Sequence, residues 1–319
     1  MHLERKARQH YVARFYLKRW QAEGRKKRMW VKSKEENKTY SITNLSSVCQ
    51  KRDFYKIDVD EVVYGMLDYK YGHLLDEPVV GEMMACFDAL RRVDSYMSRK
   101  LPKHEKLGVL GNNFIEDRYC EIENKIALAL TNIVDAKEKI VEVLQQDLVG
   151  YYSDLLGLFC TQHFRTLRAR ANMLSNIKGM VLERDGETVP LTDEQMETTV
   201  KAIMFVESLR LVENLRRQDV TISLNFNASG VDLLTSSAPT ILLPGGTNAS
   251  GFNDGLYGFM ALSPGLSMSI SKGAGKKRAI EIGRSDIAAV NFVNRLIYDR
   301  SDRDVYSTSL RQLSDLEAD

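Results

Sequence analysis

The chain has 319 residues, 44% of them hydrophobic and 28% charged, with a formal net charge of +2. This balance excludes a disordered chain and leaves room for one large core or two smaller ones. The charge is uneven, because residues 1–34 hold twelve Lys or Arg against two acids and the remainder is net acidic. A basic arm of this kind is a candidate phosphate-binding surface, and equally a solvated face that balances an acidic body.

The four cysteines, Cys49, Cys86, Cys120 and Cys160, are far apart and form no C-x-x-C pair. A zinc or redox motif is therefore not expected, and buried thiols in a reducing cytoplasm are. The N-terminus carries cations without an apolar segment, so no signal peptide is expected. No run of about 18 apolar residues occurs, so no membrane partner is expected either.

Gln9 to Trp20 packs one histidine, four aromatics and three cations into twelve residues. It is too apolar to hang in water and should dock into the body of the protein. A polar turn follows at Ala22 to Arg25. Arg28 to Lys32 and Lys38 to Ile42 alternate like a hairpin around Glu35-Glu36-Asn37, and Phe54 to Ile57 reads as a short strand or extended piece. Asp60 to Lys100 is patterned as helix up to the break at Pro102. Ile115 to Asp147 carries the longest apolar stripe, and Gly150 should end or kink it. A second helix is expected from Tyr152 to Met173. A third should start at the capping box Thr192-Asp193-Glu194-Gln195 and run to Gln218.

Strand patterning then takes over at Val220 to Leu224, Asp232 to Ser236, Thr240 to Leu243, Tyr257 to Leu262 and Leu266 to Ser271. The glycine-rich stretch from Pro244 to Gly255 reads as a lid or surface loop. Ser285-Asp286 should cap a last helix to about Arg300, Val305 to Thr308 should form a closing strand, and 311–319 a frayed polar tail. The expected architecture is α+β: a helical core, an N-terminal β-hairpin and a C-terminal, mainly antiparallel sheet. No repeat or linker divides it, so one composite domain over 1–310 is expected, with parts at 1–57, 58–218 and 219–310.

Catalytic motifs with fixed spacing fail. Gly273 to Lys277 lacks the phosphate-loop spacing and reads as a basic turn, and no nucleophile elbow or zinc-protease pattern occurs. The stronger signal is polar side chains on apolar helical stripes. Gln162 lies on the stripe of the second helix with Arg165 at its edge. Glu207 lies on the third helix, Asn291 and Asn294 on the last, and Glu123 borders the stripe of the long helix. An unpartnered buried amide or carboxylate costs about 1–3 kcal/mol, so such groups are expected to face one another or a shared pocket. The pairing of Glu207 or Glu123 with Arg165 is one way to satisfy them.

His10-Tyr11-Val12-Ala13-Arg14-Phe15-Tyr16-Leu17 resembles the His-Tyr-Val-Pro signature of a widespread, mostly bacterial family known as a domain of unknown function. Ile122-Glu123, Gln162-His163-Phe164-Arg165-Thr166, Leu234 to Pro239, Leu262-Ser263-Pro264, and Asn294 with Arg303 to Ser307 resemble its later blocks in order. Ala13 stands where that family has proline, and Ser237 where it usually has aspartate, which puts metal dependence in doubt unless Asp232 substitutes. The resemblance implies an accessory or defence setting but brings no activity and no named cofactor.

Two functional expectations follow. In the first, the protein is an enzyme on a phosphate substrate, a nuclease. His10 would be general acid or base, Gln162 the orienting group and Glu123 a base or magnesium ligand. Arg14 and Arg165 would clamp phosphate, and Glu207, Ser237 and Asn294 would complete the pocket. Nucleic acid or nucleotide would meet the basic N-terminal region. In the second, the same residues serve a non-catalytic nucleotide or peptide sensor, or simply pin the N-terminus to the core.

Overall fold

The computed structural model describes residues 4–22, 27–100, 105–184, 186–242, 247–248, 251–252, 257–272 and 278–315. The polar turn beyond Ala22, Pro102, the basic turn at 273–277 and most of the 244–255 loop lie outside the described residues.

The elements run β1 (Arg8–His10), α1 (Arg14–Leu17), β2 (Met29–Ser33), β3 (Lys38–Ile42), β4 (Gln50–Arg52), α2 (Glu61–Tyr71), α3 (Pro78–Lys100), α4 (Glu105–Ala136), α5 (Ile140–Gln146), α6 (Leu148–Phe164) and α7 (Leu167–Ile177). Then come β5 (Val181–Arg184), β6 (Glu187–Pro190), α8 (Asp193–Arg217), β7 (Val220–Asn227), β8 (Thr235–Ser236) and β9 (Thr240–Leu242). The chain closes with β10 (Thr247–Asn248), β11 (Gly251–Phe252), β12 (Tyr257–Ser263), β13 (Leu266–Lys272), β14 (Ala279–Ser285), α9 (Ile287–Arg300), β15 (Asp304–Ser307) and α10 (Leu310–Asp315).

The α+β reading holds. The C-terminal sheet has the order β14-β7-β13-β12-β9, antiparallel except for the parallel β14–β7 pair. The N-terminal hairpin β2–β3 forms as expected, with Asn37 in the left-handed region at its turn. It continues through β15 into β8, so that both ends of the chain share one antiparallel sheet. α6 lies at the centre: Leu155 to Gln162 is buried without interruption, and α4, α8 and the C-terminal sheet pack around it. A helix apolar on every side belongs inside a core. One buried apolar cluster draws on all parts of the chain, from Tyr11 to Leu313.

Several boundaries differ from expectation. Gly150 does not end a helix. Asp147 caps α6 through the Gly150 amide at 2.9 Å, and a β-carbon on Gly150 would collide with that carboxylate. The helix expected over Tyr152 to Met173 is two helices, because the Thr166 hydroxyl accepts the Ala169 amide and starts α7 afresh. The capping box at Thr192 and Gln195 is formed as expected. Asp232 to Leu234 lies outside any strand, and Phe54-Tyr55 lies in a turn after Asp53, which sits in the left-handed region. Asn291 is exposed, off the buried stripe of α9. The β5–β6 hairpin and β14 had no counterpart in the pattern reading. The expected frayed tail is, over Leu310–Asp315, a helix pinned by the fully buried Leu313. Within the glycine-rich stretch, the described pieces pair as β10 and β11, and β11 lies against α8.

α4 meets the 53–57 turn at Gly111. The Ile57 amide donates to the Gly111 carbonyl at 3.1 Å, and a β-carbon at Gly111 would stand 2.5 Å from the Ile57 carbonyl oxygen. Gly111→Ala is therefore expected to lower stability by about 1–3 kcal/mol, the usual range for overpacking. Urea unfolding measures it, and an unchanged midpoint would contradict the close approach.

Candidate functional site

The N-terminal stretch is docked, as its composition requires. In strand β1 alternate side chains point to opposite faces. Gln9 turns inward and is fully buried: its Nε2 donates to the Asn112 carbonyl at 2.9 Å and its Oε1 accepts the Tyr55 amide at 2.6 Å. Asn112 and Asn113 on α4 hold the preceding residues through the Lys6 and Glu4 carbonyls. Arg8 and His10 therefore share the outer face. Their partners across the antiparallel ribbon are Arg52 and Gln50.

Beyond the ribbon, Tyr11, Val12 and Ala13 are buried, and the Ala13 amide donates to Gln162 Oε1 at 3.3 Å. The Tyr16 hydroxyl donates to the Ala261 carbonyl at 2.8 Å, and Trp20 Nε1 to the Leu233 carbonyl at 2.8 Å. Arg14 remains exposed on the intervening turn.

Arg165, 2% exposed, is the centre of the arrangement. Its Nε donates to the Tyr55 hydroxyl at 2.7 Å and one terminal nitrogen to the His10 carbonyl at 2.8 Å, while the other pairs with Glu123. The Tyr55 hydroxyl in turn donates to the same His10 carbonyl at 3.1 Å. The guanidinium also stacks over the Tyr119 ring, 4.3 Å from its centroid. The His10 backbone is thus clamped from two sides, and its imidazole is left out of the clamp.

That imidazole is partly buried; its Nε2 is closed off from solvent and has no hydrogen-bond partner among the described residues, and the same holds for Oε1 of Gln50, its cross-strand neighbour. Burial first, then the Arg14 cation, push its pKa below the ordinary 6.5; Arg165 adds to this, and the Leu45 backbone and Glu123 oppose it. His10 is therefore neutral near pH 7, with a nitrogen able to accept a proton.

Glu116, one turn before Tyr119 on α4, joins this group although the sequence did not single it out. Burial raises its carboxyl from 4.5 to about 7, with Glu123 adding to the rise and Arg165 opposing it. Its Oε2 likewise has no partner. Gln9, Tyr55, Asn112 and Asn113 were also missed. The adjacent asparagines in mid-helix, where such residues are unfavourable, were the available sign.

The remaining candidates lie elsewhere and make no hydrogen bond to this group. Glu207 accepts the Tyr71 hydroxyl at 2.9 Å and pairs with Arg210 and Lys70. Glu123, and not Glu207, is the partner of Arg165. The Ser237 hydroxyl donates to Asp302 at 2.8 Å and accepts the Asp304 amide, which joins β8 to β15. Asn294 clamps an extended segment, accepting the Leu234 amide and donating to the Asp232 carbonyl, each at 2.9 Å. The Asp232 carboxylate accepts the Thr308 hydroxyl. One pocket shared by all these residues is therefore not what the fold builds. Among the described residues, no group of three or more His, Cys, Asp or Glu side chains is placed to hold a metal ion. No described helix is long and apolar enough to cross a membrane.

The family profile described as "Protein of unknown function (DUF4238)" matches residues 8–310. The chain belongs to the DUF4238 family. The match begins on the ribbon strand that carries Arg8 and His10 and ends at the start of α10, so in this DUF4238 protein it spans both the clamp and the shared sheet. Neither the curated proteins nor the solved structures contain a match to the chain.

Two outcomes test the geometry. Arg165→Ala leaves Glu123 without its partner and the His10 carbonyl with the Tyr55 hydroxyl alone, and is expected to lower stability by about 3–5 kcal/mol, read from denaturant unfolding. Glu116 binds its proton more tightly in the folded state, so native stability should fall as pH rises from 4.5 to about 7. Glu116→Gln removes that loss. It should exceed the wild type by about 1–3 kcal/mol above neutrality and show no gain below the ordinary carboxylate range. An equal gain at both pH values would contradict the raised carboxyl.

Proposed function

We propose that this protein cleaves phosphodiester bonds in nucleic acid, as a nuclease, with His10 as its proton-accepting group. The observation that carries the reading is the neutral imidazole with an unpartnered Nε2, itself closed off from solvent, on the strand that also carries Arg8 opposite Arg52; a substrate reaches this nitrogen only when the residues over it move aside. Like charges directly opposite in a ribbon destabilise it. Arg8 and Arg52 are such a pair, and a phosphate backbone laid along that face would relieve the repulsion. Exposed Arg14 adds a bidentate phosphate contact next to His10.

The roles expected from the sequence change accordingly. Arg165 and Gln162 are committed to the protein itself, and they position rather than clamp phosphate. Glu123 orients Arg165. Glu116 is the carboxyl that still carries a proton near neutrality. With RNA, His10 Nε2 accepts the proton of the 2′-hydroxyl, whose oxygen forms the new bond to phosphorus. The bond from phosphorus to the 5′-oxygen breaks, and Glu116 supplies the proton to that leaving oxygen. A depressed imidazole and a raised carboxyl are the division of labour that acid–base pairs use.

Labelled RNA and DNA incubated with the full chain, with and without magnesium, provide the test. His10→Ala should reduce cleavage by at least about 100-fold with an unchanged melting temperature. The rate should rise with pH along a limb below 6.5 and fall along one near 7. Salt-sensitive binding without any cleavage would favour the non-catalytic nucleotide-binding reading, which rests on the same basic face.

A further inference from the structure

Away from His10, a pocket of about 190 Å³ opens among the start of α7, strand β9 and the end of α9. It is smaller than a site for a whole small molecule, about 300–1,000 Å³, and suits a single charged group. Arg168 and Asn172 stand four residues apart on α7 and so share one of its faces. Arg300, the last residue of α9, lines the pocket with them. Arg168 reaches across to that helix end, where one terminal nitrogen donates to the Arg300 carbonyl at 2.7 Å. This uses one of its five N–H donors and leaves the others for a ligand. Both arginines are exposed, so a solute can reach them. Deeper in, the His163 ring stacks on Phe159 and places its Nδ1 3.2 Å from the Thr240 hydroxyl. Burial first, then the Arg168 cation, hold its pKa down at about 4, so the ring is neutral.

The charge of the pocket decides which guest fits. Among the described residues, no carboxylate lines it. The acids beside Arg300 in the chain are engaged elsewhere: Asp299 pairs with Arg295 at 3.3 Å, and Asp302 accepts the Ser237 hydroxyl at 2.8 Å. Two guanidiniums gathered around one small space repel each other, and the N-terminal end of α7 adds to the positive potential. An anion offsets all three contributions. A planar carboxylate engages one guanidinium fork edge to edge, whereas a tetrahedral phosphate offers oxygens to forks that come from two different helices.

We propose that this pocket binds a phosphate group, free or at the end of an ester, through Arg168 and Arg300, with the Asn172 amide as a further donor. The site shares no residue with the His10 group and stands independently of cleavage there.

The ring signal of His163 in the NMR spectrum of the full chain, assigned with a His163→Gln variant, reports on the pocket. It is followed near neutral pH during titration with inorganic phosphate, phenyl phosphate and acetate at constant ionic strength. Phosphate should shift the signal along a saturable curve. Acetate should bind at least about ten-fold more weakly, a difference of about 1.4 kcal/mol. Arg168→Gln and Arg300→Gln, both changes of exposed residues, should each weaken phosphate about ten-fold or more. Phenyl phosphate binding at least as tightly as the free ion assigns the pocket to the end of an ester, and weaker binding assigns it to free phosphate. A His163 signal indifferent to phosphate, equal affinity for acetate, or phosphate affinity unchanged in either arginine variant would each overturn the proposal.

Discussion

The structure depends on a guanidinium buried where a helix breaks. Removing an arginine from water costs several kcal/mol unless each donor finds a partner and the charge a counter-charge. Arg165 meets both conditions with groups from three distant parts of the chain: the His10 carbonyl, the Tyr55 hydroxyl and the Glu123 carboxylate, between aromatic faces. Arg165 thereby ties these three segments together, alongside the Gln9 anchor and the β1–β4 pairing. Thr166 fixes the position of the charge by starting α7 immediately after it, so that Arg165 ends α6 instead of continuing along a helical surface.

What this arrangement leaves over is as informative as what it uses. The clamp takes the backbone of His10 and spares the ring. It takes one carboxylate of α4, Glu123, and leaves another, Glu116, half-buried with its Oε2 unpartnered among the described residues. Residues 116, 119 and 123 fall on one face of α4 at helical spacing, so the stacking ring of Tyr119 separates a paired acid from an unpaired one. A carboxyl raised by burial and an imidazole with one unpartnered nitrogen are poor choices for stability alone. They form the combination on which the nuclease reading rests.

The fold class was legible because period and caps are local. The Thr192–Gln195 box and the β2–β3 hairpin form where the pattern puts them, and the stripe from Ile115 to Leu144 forms as two helices, α4 and α5, parted at Lys137 in the left-handed region. The anchoring of Gln9 to Trp20 beside Gln162 and Arg165 could be read too, since apolar residues at a chain start and polar ones on a helical stripe each need a partner. Boundaries set by a single side chain were not legible. Asp147 capping across Gly150 and Thr166 restarting α7 compete with a continuing apolar stripe, and periodicity alone does not rank them. Ser237, Asn294 and Glu207 had the right signature of buried polarity, but the sequence does not say which partner each will meet. Two of them meet backbone, and the third meets its own helix neighbour Arg210. Glu116 was hidden because nothing in the pattern marks an acid as buried when its neighbour Asp117 is equally charged.

The most direct measurement of the central claim is the titration of the His10 ring by NMR, assigned with a His10→Gln variant. The account requires a pKa below 6.5. That pKa should rise in Arg14→Gln, where a neighbouring cation is lost, and rise again when an RNA oligonucleotide lays phosphate along the ribbon. A His10 that titrates at or above its ordinary value, or that responds to neither change, would contradict the view that the clamp holds a neutral imidazole beside a phosphate-binding face.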